Sequence, residues 1–315
     1  MRDLRPLRHA GASARLIGVL LLLALTGCAA PKSLAFLDSG ALGLPEEARV
    51  ASVPFYPQEE YYCGPAALAM VLTWSGRNVD QYDLVPEVYT PGREGTLRAD
   101  VVAAARRHGR LAVKIHGLNA VLSELAAGNP VIVFQNLGLS VMPQWHFAVA
   151  VGYDLAEREI ILHSGEREDY RLDLGTFERT WARGDRWALV VTPPHRLPVS
   201  AGENQVVEGA AGLERAKQPQ AAAKAYAAIL RVWPDSLPAL FGLANARYDA
   251  GHLKDAEAGF VHALQHHPDA AAAWNNLAYV RYLRGKRKLA IAAARRAVAL
   301  SDEPAYRATL KEVSQ

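Results

Sequence analysis

Thiols are the scarcest reactive groups in this chain: among 315 residues only Cys28 and Cys63 carry one. Cys63 stands in the run Gln58-Glu59-Glu60-Tyr61-Tyr62-Cys63-Gly64-Pro65-Ala66-Ala67-Leu68-Ala69-Met70. Pro65 suits the first turn of a helix, where its missing N–H would have no bond to make. Gly64 to Trp74 is apolar all round, which predicts a buried helix, closed by Gly76, holding Cys63 rigidly at its N-terminus. Unpaired N–H groups and the helix macrodipole favour a thiolate there, so the pattern predicts a thiol pKa below the ordinary value. Gln58, five residues earlier, can aim its amide N–H at an oxyanion, with the Cys63 backbone N–H as a second donor. A cysteine nucleophile needs a base. His146 stands about eighty residues downstream at the mouth of the apolar run His146 to Val151. A strand-end histidine facing water is the plain alternative for His146 alone. Cysteine, glutamine and histidine in this order favour the catalytic one.

Cys28 has a different setting. Arg2, Arg5, Arg8 and Arg15 precede the apolar stretch Leu16 to Leu25, which is too short to span a bilayer but suits a signal peptide. The box Leu25-Thr26-Gly27-Cys28 resembles the lipidation site of bacterial lipoproteins, which implies lipid on Cys28 and cleavage of residues 1–27. Ala29, rather than Asp, after that cysteine implies sorting to the periplasmic face of an outer membrane. With Cys28 so used, Cys63 has no disulfide partner in an oxidising compartment. Residues 1–27 hold four of the 35 basic and one of the 32 acidic residues. The rest of the chain is therefore balanced at 31 of each, and no basic surface for nucleic acid is expected.

Several elements must position the catalytic groups. Residues 28–48 read as a tether and 49–194 as an α+β domain. Helices are expected at Thr96 to His108, with Thr96 as cap and Gly109 as terminator, and at Leu118 to Ala127, ended by Gly128-Asn129-Pro130. Strands are expected at Val131 to Phe134, His146 to Val151, Glu159 to Leu162 and Trp187 to Val191, with a hairpin turn at Gly152-Tyr153-Asp154. Asn136 to Pro143 reads as a loop bordering the site, and Trp145 as a cleft or packing residue. Pro193, Pro194 and Pro198 open a linker over 195–204. Beyond it, Pro234-Asp235 recurs as Pro268-Asp269, and Leu243-Ala244, Tyr248 and Gly251 recur as Leu277-Ala278, Tyr282 and Gly285, each thirty-four residues on. Residues 205–315 thus resemble tetratricopeptide repeats with a closing helix after Pro304, an all-α solenoid expected to dock a protein partner.

Across residues 51–192 the motifs and the element order resemble the papain-like cysteine peptidase domain of the bacteriocin-processing kind, which cleaves leader peptides after a double glycine. The likeness is closest to standalone lipoproteins that carry tetratricopeptide repeats after the peptidase domain. It implies Cys63 as nucleophile, His146 as general base and Gln58 in the oxyanion hole, acting on a peptide or protein substrate without a cofactor or metal. In one respect the chain departs from that family. The strand after the histidine strand usually ends in an orienting Asp; here it ends in His163-Ser164-Gly165, so His163 or Ser164 is left to hold the ring. Asp154 and Asp169 are the nearest carboxylates, Asp154 reading more simply as a turn residue. The missing Asp leaves room for a weak or inactive shell serving as an envelope scaffold. An amidase or acyltransferase acting on cell-wall peptide ranks third, because Cys63-Gly64-Pro65 lacks the Asp-Cys-Ser start usual in cell-wall hydrolases of this type. His262 and His266 lie four apart on a helix with no third ligand nearby and read as a solvated pair.

Overall fold

The computed structural model describes residues 43–58 and 61–315; the signal segment, Cys28 and most of the tether lie outside them. The sheet is antiparallel, and its strands run in the spatial order β4 (Leu111–Ile115), β9 (Ala188–Thr192), β5 (Val131–Asn136), β6 (Trp145–Asp154), β7 (Glu159–Ser164), β8 (Arg167–Asp173), with β1 (Glu47–Arg49) added beside the far end of β6. Strands β5, β6 and β9 are almost wholly buried, as a sheet covered on both faces requires.

One face carries helix α1 (Cys63–Trp74), flanked by α2 (Gln81–Val88) and α3 (Arg98–Arg107). Leu68, Met70 and Leu72 of α1 pack with Ile132, Phe147, Val149 and Leu189 of the sheet in one core. Helices α4 (Leu118–Ala126) and α5 (Leu174–Ala182) also pack on the central strands of the sheet. A short ribbon of β2 (Tyr89–Thr90) and β3 (Gly95–Thr96) lies against the start of α1.

Two local expectations are corrected. Thr96 does not cap a helix: it pairs with Tyr89 in the ribbon, and α3 starts at Arg98 with no side-chain cap. The reason is packing, since Gly64 leaves room for the Thr96 side chain directly against α1, where a methyl group would overlap it. Gly152-Tyr153-Asp154 is not a turn but the continuation of β6, pairing with β1 on one side and β7 on the other. Gly152 permits the close approach of the Ala48 carbonyl. The reversal follows at Leu155–Arg158, where the Glu157 N–H donates to the Asp154 carboxylate over 3.1 Å.

After β9, three antiparallel helix pairs follow: α6 (Glu203–Arg215) with α7 (Pro219–Val232), α8 (Leu237–Asp249) with α9 (Leu253–His266), and α10 (Ala271–Leu283) with α11 (Arg287–Leu300), closed by α12 (Pro304–Ser314). The period of thirty-four is visible in the backbone. Gly251 and Gly285 end α8 and α10 in the left-handed conformation, and the equivalent place after α6 is taken by Lys217 at φ 57°. Gly242 lies against the ring of Tyr226 where any side chain would overlap it, which lets α8 approach α7 closely.

Residues 195–202 do not hang free between the two regions. Ser200 donates through its N–H and its hydroxyl to buried Glu124 of α4 over 2.7 and 2.6 Å, and Arg196 donates to the Ala127 carbonyl over 2.7 Å. Helix α6 then lies on β4, its Val206, Ala210 and Leu213 sharing a core with Leu111 and Val113. Among the described residues no helix is long and apolar enough to cross a membrane.

Candidate active site

Cys63 is the first residue of α1, half-buried, and opens into a cleft of about 990 Å3. Gln58, His146 and Phe147 line the same cleft. The main-chain N–H groups of Phe147, Gly64 and Cys63 itself donate toward the sulfur. The contact with Phe147 fixes the relation between the two chemical groups, because Phe147 is the residue after His146 in β6. Cys63 therefore sits against that strand, one residue along it from His146.

The neighbours of His146 follow from strand register. Val149 of β6 pairs with His163 of β7, so Ser164, next in β7, comes to lie beside the start of β6. Its hydroxyl oxygen is 2.9 Å from His146 Nε2. Successive strand residues face opposite sides, and His163 turns away from His146. His163 is buried against Phe55, with Nε2 3.3 Å from the Val53 carbonyl and Nδ1 accepting from the Asp169 N–H over 3.3 Å. Of the two residues left open for orienting the ring, only Ser164 touches it. Asp169 pairs with Arg49 and gives only its N–H to His163, and Asp154 pairs with Arg171; neither carboxylate reaches His146. With Nε2 turned to Ser164, Nδ1 is the nitrogen left to serve the cleft.

Gln58 is buried and held by two backbone bonds to the β7–β8 turn: its N–H donates to the Gly165 carbonyl, and its Oε1 accepts the Gly165 N–H, both over 3.1 Å. Since Oε1 is spent on an N–H, the amide NH2 is the end directed to the Phe147 carbonyl, 3.5 Å away, and to the cleft. This clamp by Gly165 left no mark in the sequence, because it forms between a loop and a turn more than a hundred residues apart.

Electrostatics corrects the expectation for the thiol. Burial pushes the Cys63 pKa above its ordinary value and outweighs the three N–H groups that pull the other way. His146 is pushed down to about 4, first by burial and then by the positive charge of Arg167. Near neutral pH both members are uncharged. The helix terminus alone would have produced a thiolate, but its N–H groups act here on a sulfur largely withdrawn from water.

The walls of the cleft come from segments with no motif in common. Trp145 stacks on Phe134 with ring centroids 5.2 Å apart, and Arg98 lies over the same Phe134 ring while pairing with Asp185 at 3.0 Å. The segment after Asn136 forms the rim, with Leu139, Val141 and Met142 exposed. His262 and His266 lie exposed on α9, with His266 Nδ1 2.8 Å from Asp235.

An α+β domain with a cysteine at the head of its central helix and a histidine on the facing strand, followed by an all-α repeat array, is the class defined by this fold. Residues 50–187 match the model of the Peptidase_C39 like family, so the first domain is peptidase-like. Among solved structures, a C39-like peptidase from Bacillus anthracis is similar at 19% identity and a TM-score of 0.41, covering 47% of this chain and 98% of that one. The first tetratricopeptide-repeat domain of Spaghetti, bound to an HSP90 peptide, is similar at 16% identity and a TM-score of 0.35, over 36% of this chain and 90% of that one. An O-GlcNAc transferase mutant from Thermobaculum terrenum is similar at 20% identity and a TM-score of 0.34, over 35% of this chain and 22% of that one. No curated protein matches the chain.

Proposed function

We propose that the chain is a cysteine peptidase of the bacterial cell envelope, anchored through lipid on Cys28, that hydrolyses a peptide bond of an envelope peptide or protein held in part by its repeats. The observation that carries this reading is the shared cleft, in which Cys63, the donor face of the Gln58 amide and His146 meet. In this reading His146 Nδ1 takes the thiol proton as the sulfur attacks the carbonyl carbon. The carbonyl oxygen, becoming negative, receives hydrogen bonds from Gln58 Nε2 and the Cys63 N–H. The imidazolium returns its proton to the leaving amine, and water releases the acyl group by the reverse sequence. The uncharged resting pair favours transfer of the proton in step with attack over a preformed ion pair.

A second reading, an inactive shell acting as a scaffold, is favoured by one specific observation: a serine hydroxyl rather than a carboxylate meets the base. A thiol-reactive peptide probe separates the two. Under the peptidase reading the probe labels the wild-type protein and Cys63→Ala abolishes labelling; unchanged labelling would refute Cys63 as nucleophile. A Cys63→Ala allele that fully restores a deletion strain, while loss of the repeats does not, would establish the scaffold.

A further inference from the structure

Between β5 and β6 the segment Leu137 to Gln144 holds no ionisable side chain, but it holds Leu137, Leu139, Val141 and Met142. Its exposure is not that of a loose loop. Buried Asn136 pins both ends: its Oδ1 accepts the Gly138 N–H over 3.0 Å and the Gln144 N–H over 2.9 Å, while its carbonyl accepts from the Arg183 guanidinium over 3.2 and 3.0 Å. The Leu137 N–H donates to the Gln144 carbonyl over 2.9 Å, and the Met142 N–H closes a turn on the Leu139 carbonyl over 3.1 Å. Gly138 lets the two arms of this small hairpin meet, since a Cβ there would overlap the Met142 carbonyl oxygen. The tip is thus held in place with Leu139 68%, Val141 90% and Met142 72% exposed.

Apolar side chains fixed in water in this way mark a contact surface. The cleft beside them is lined by Pro143, Gln144 and Trp145 but by none of Leu139, Val141 and Met142, so the tip stands outside the space into which Cys63 opens. A bilayer is the occupant that the rest of the chain supplies. Residues 28–42 separate the cysteine read as lipid-bearing from Gly43, and fifteen residues reach at most about 50 Å. They join the sheet at β1, beside the far end of β6, and the ten residues of β6 lead from there to the tip over about 30 Å. Lipid on Cys28 and the apolar tip can therefore enter one membrane. The half-exposed Trp145 at the base of the hairpin suits the level of the headgroups.

We propose that Leu139, Val141 and Met142 seat in the surface of the bilayer that holds the Cys28 lipid, bringing the mouth of the Cys63 cleft to the headgroup level. This rests on the reading of Cys28 as the lipid-bearing residue and is independent of the chemistry at Cys63. The lipid alone would leave the domain free to turn on its tether; the tip gives it one orientation, with Trp145 and the cleft toward peptides held at the membrane surface.

The test uses the full lipidated chain in vesicles of phosphatidylethanolamine and phosphatidylglycerol, carrying Cys63→Ala so that an added cysteine is the one free thiol. An environment-sensitive fluorophore is attached at Ser140→Cys in the tip or, for reference, at Ala156→Cys in the exposed reversal after β6. An interfacial seat reaches about 5–10 Å into the boundary of headgroups and acyl chains, so lipid spin-labelled high on its acyl chain should quench the tip label at least about twofold and leave the reference label unchanged. Leu139→Ser with Val141→Ser and Met142→Ser, all at exposed positions, should abolish the quenching while the chain still floats with the vesicles on its lipid. Val141→Ser alone should weaken it and serves if the triple variant does not fold. Quenching that survives the triple substitution, or that is equal at both labels, would overturn the seat. A tip label that lipid does not quench would overturn it too, and one also shielded from aqueous iodide would assign the tip to contact between copies of the chain. A chain that does not float would refute the lipid on Cys28 and the seat with it, leaving the peptidase assignment to its own test.

Discussion

At Cys63 and His146 two opposing effects meet, and their balance sets the chemistry. A thiol at a helix N-terminus tends to ionise, whereas a thiol drawn out of water resists it; here the second effect is larger. Alkylation of Cys63 by iodoacetamide should therefore accelerate continuously as the pH rises past the ordinary thiol value. A plateau already reached near pH 5 would show a thiolate–imidazolium pair instead. In the proposed mechanism His146 accepts the thiol proton and must be uncharged, so the acid limb of kcat/KM should fall near pH 4. Ser164→Asp places a carboxylate on His146 Nε2, stabilises the imidazolium and should move that limb upward by about 1–3 pH units. Ser164→Ala removes one hydrogen bond of about 1–1.5 kcal/mol, so kcat/KM should drop about tenfold while KM changes little. An unchanged pH profile in Ser164→Asp would mean that the hydroxyl does not orient the ring.

At the scale of elements, what was legible was whatever one element decides by itself. The buried helix after Cys63 and the strand after His146 follow from apolar runs, and the repeat helices from a period of thirty-four with glycine and proline at their ends. Elements decided by a partner were not legible. Thr96 reads as a helix cap until Gly64 offers it a packing site, and Gly152 reads as a turn until β1 closes over it. Strand β8 lies at the sheet edge and is mostly polar and exposed, its apolar–polar alternation confined to the four residues Tyr170 to Asp173. The same division applies to the site: Cys63, His146 and Gln58 lie in recognisable local settings, but the choice of Ser164 over His163 depends on register between two strands. The repeats also contain a local misfit. Lys217 adopts the left-handed conformation that glycine occupies at both later equivalents. Lys217→Gly should stabilise the protein by about 0.5–1 kcal/mol, read as a rise of about 2 °C in the melting temperature; a fall would show that the lysine side chain contributes more there than the backbone costs.

For the whole molecule the telling feature is the seam between the peptidase-like domain and the first repeat. A Cβ on Gly209 would lie 2.8 Å from Leu111 of β4, and one on Gly212 would overlap the Arg106 guanidinium, so α6 approaches the sheet as closely as a helix can. Gln205 donates to the Lys114 carbonyl over 3.0 Å and Gln218 to the Arg107 carbonyl over 2.7 Å, fastening both ends of that approach. With a shared core, the wild-type chain should melt in one cooperative step. Gly209→Leu adds atoms to a filled seam at about 1–3 kcal/mol and should separate the melt into two calorimetric transitions; a single transition of unchanged midpoint would show that the seam carries no stability. A seam of this kind also does what a hinge could not. In the proposed function it would turn the interval between the repeats and the Cys63 thiol into a measuring stick, so that a peptide held by the repeats would be cut a set number of residues from its point of docking. Specificity would then reside in counting: lengthening the stretch between grip and scissile bond would move the cut along the chain, whatever side chains stand on either side of it.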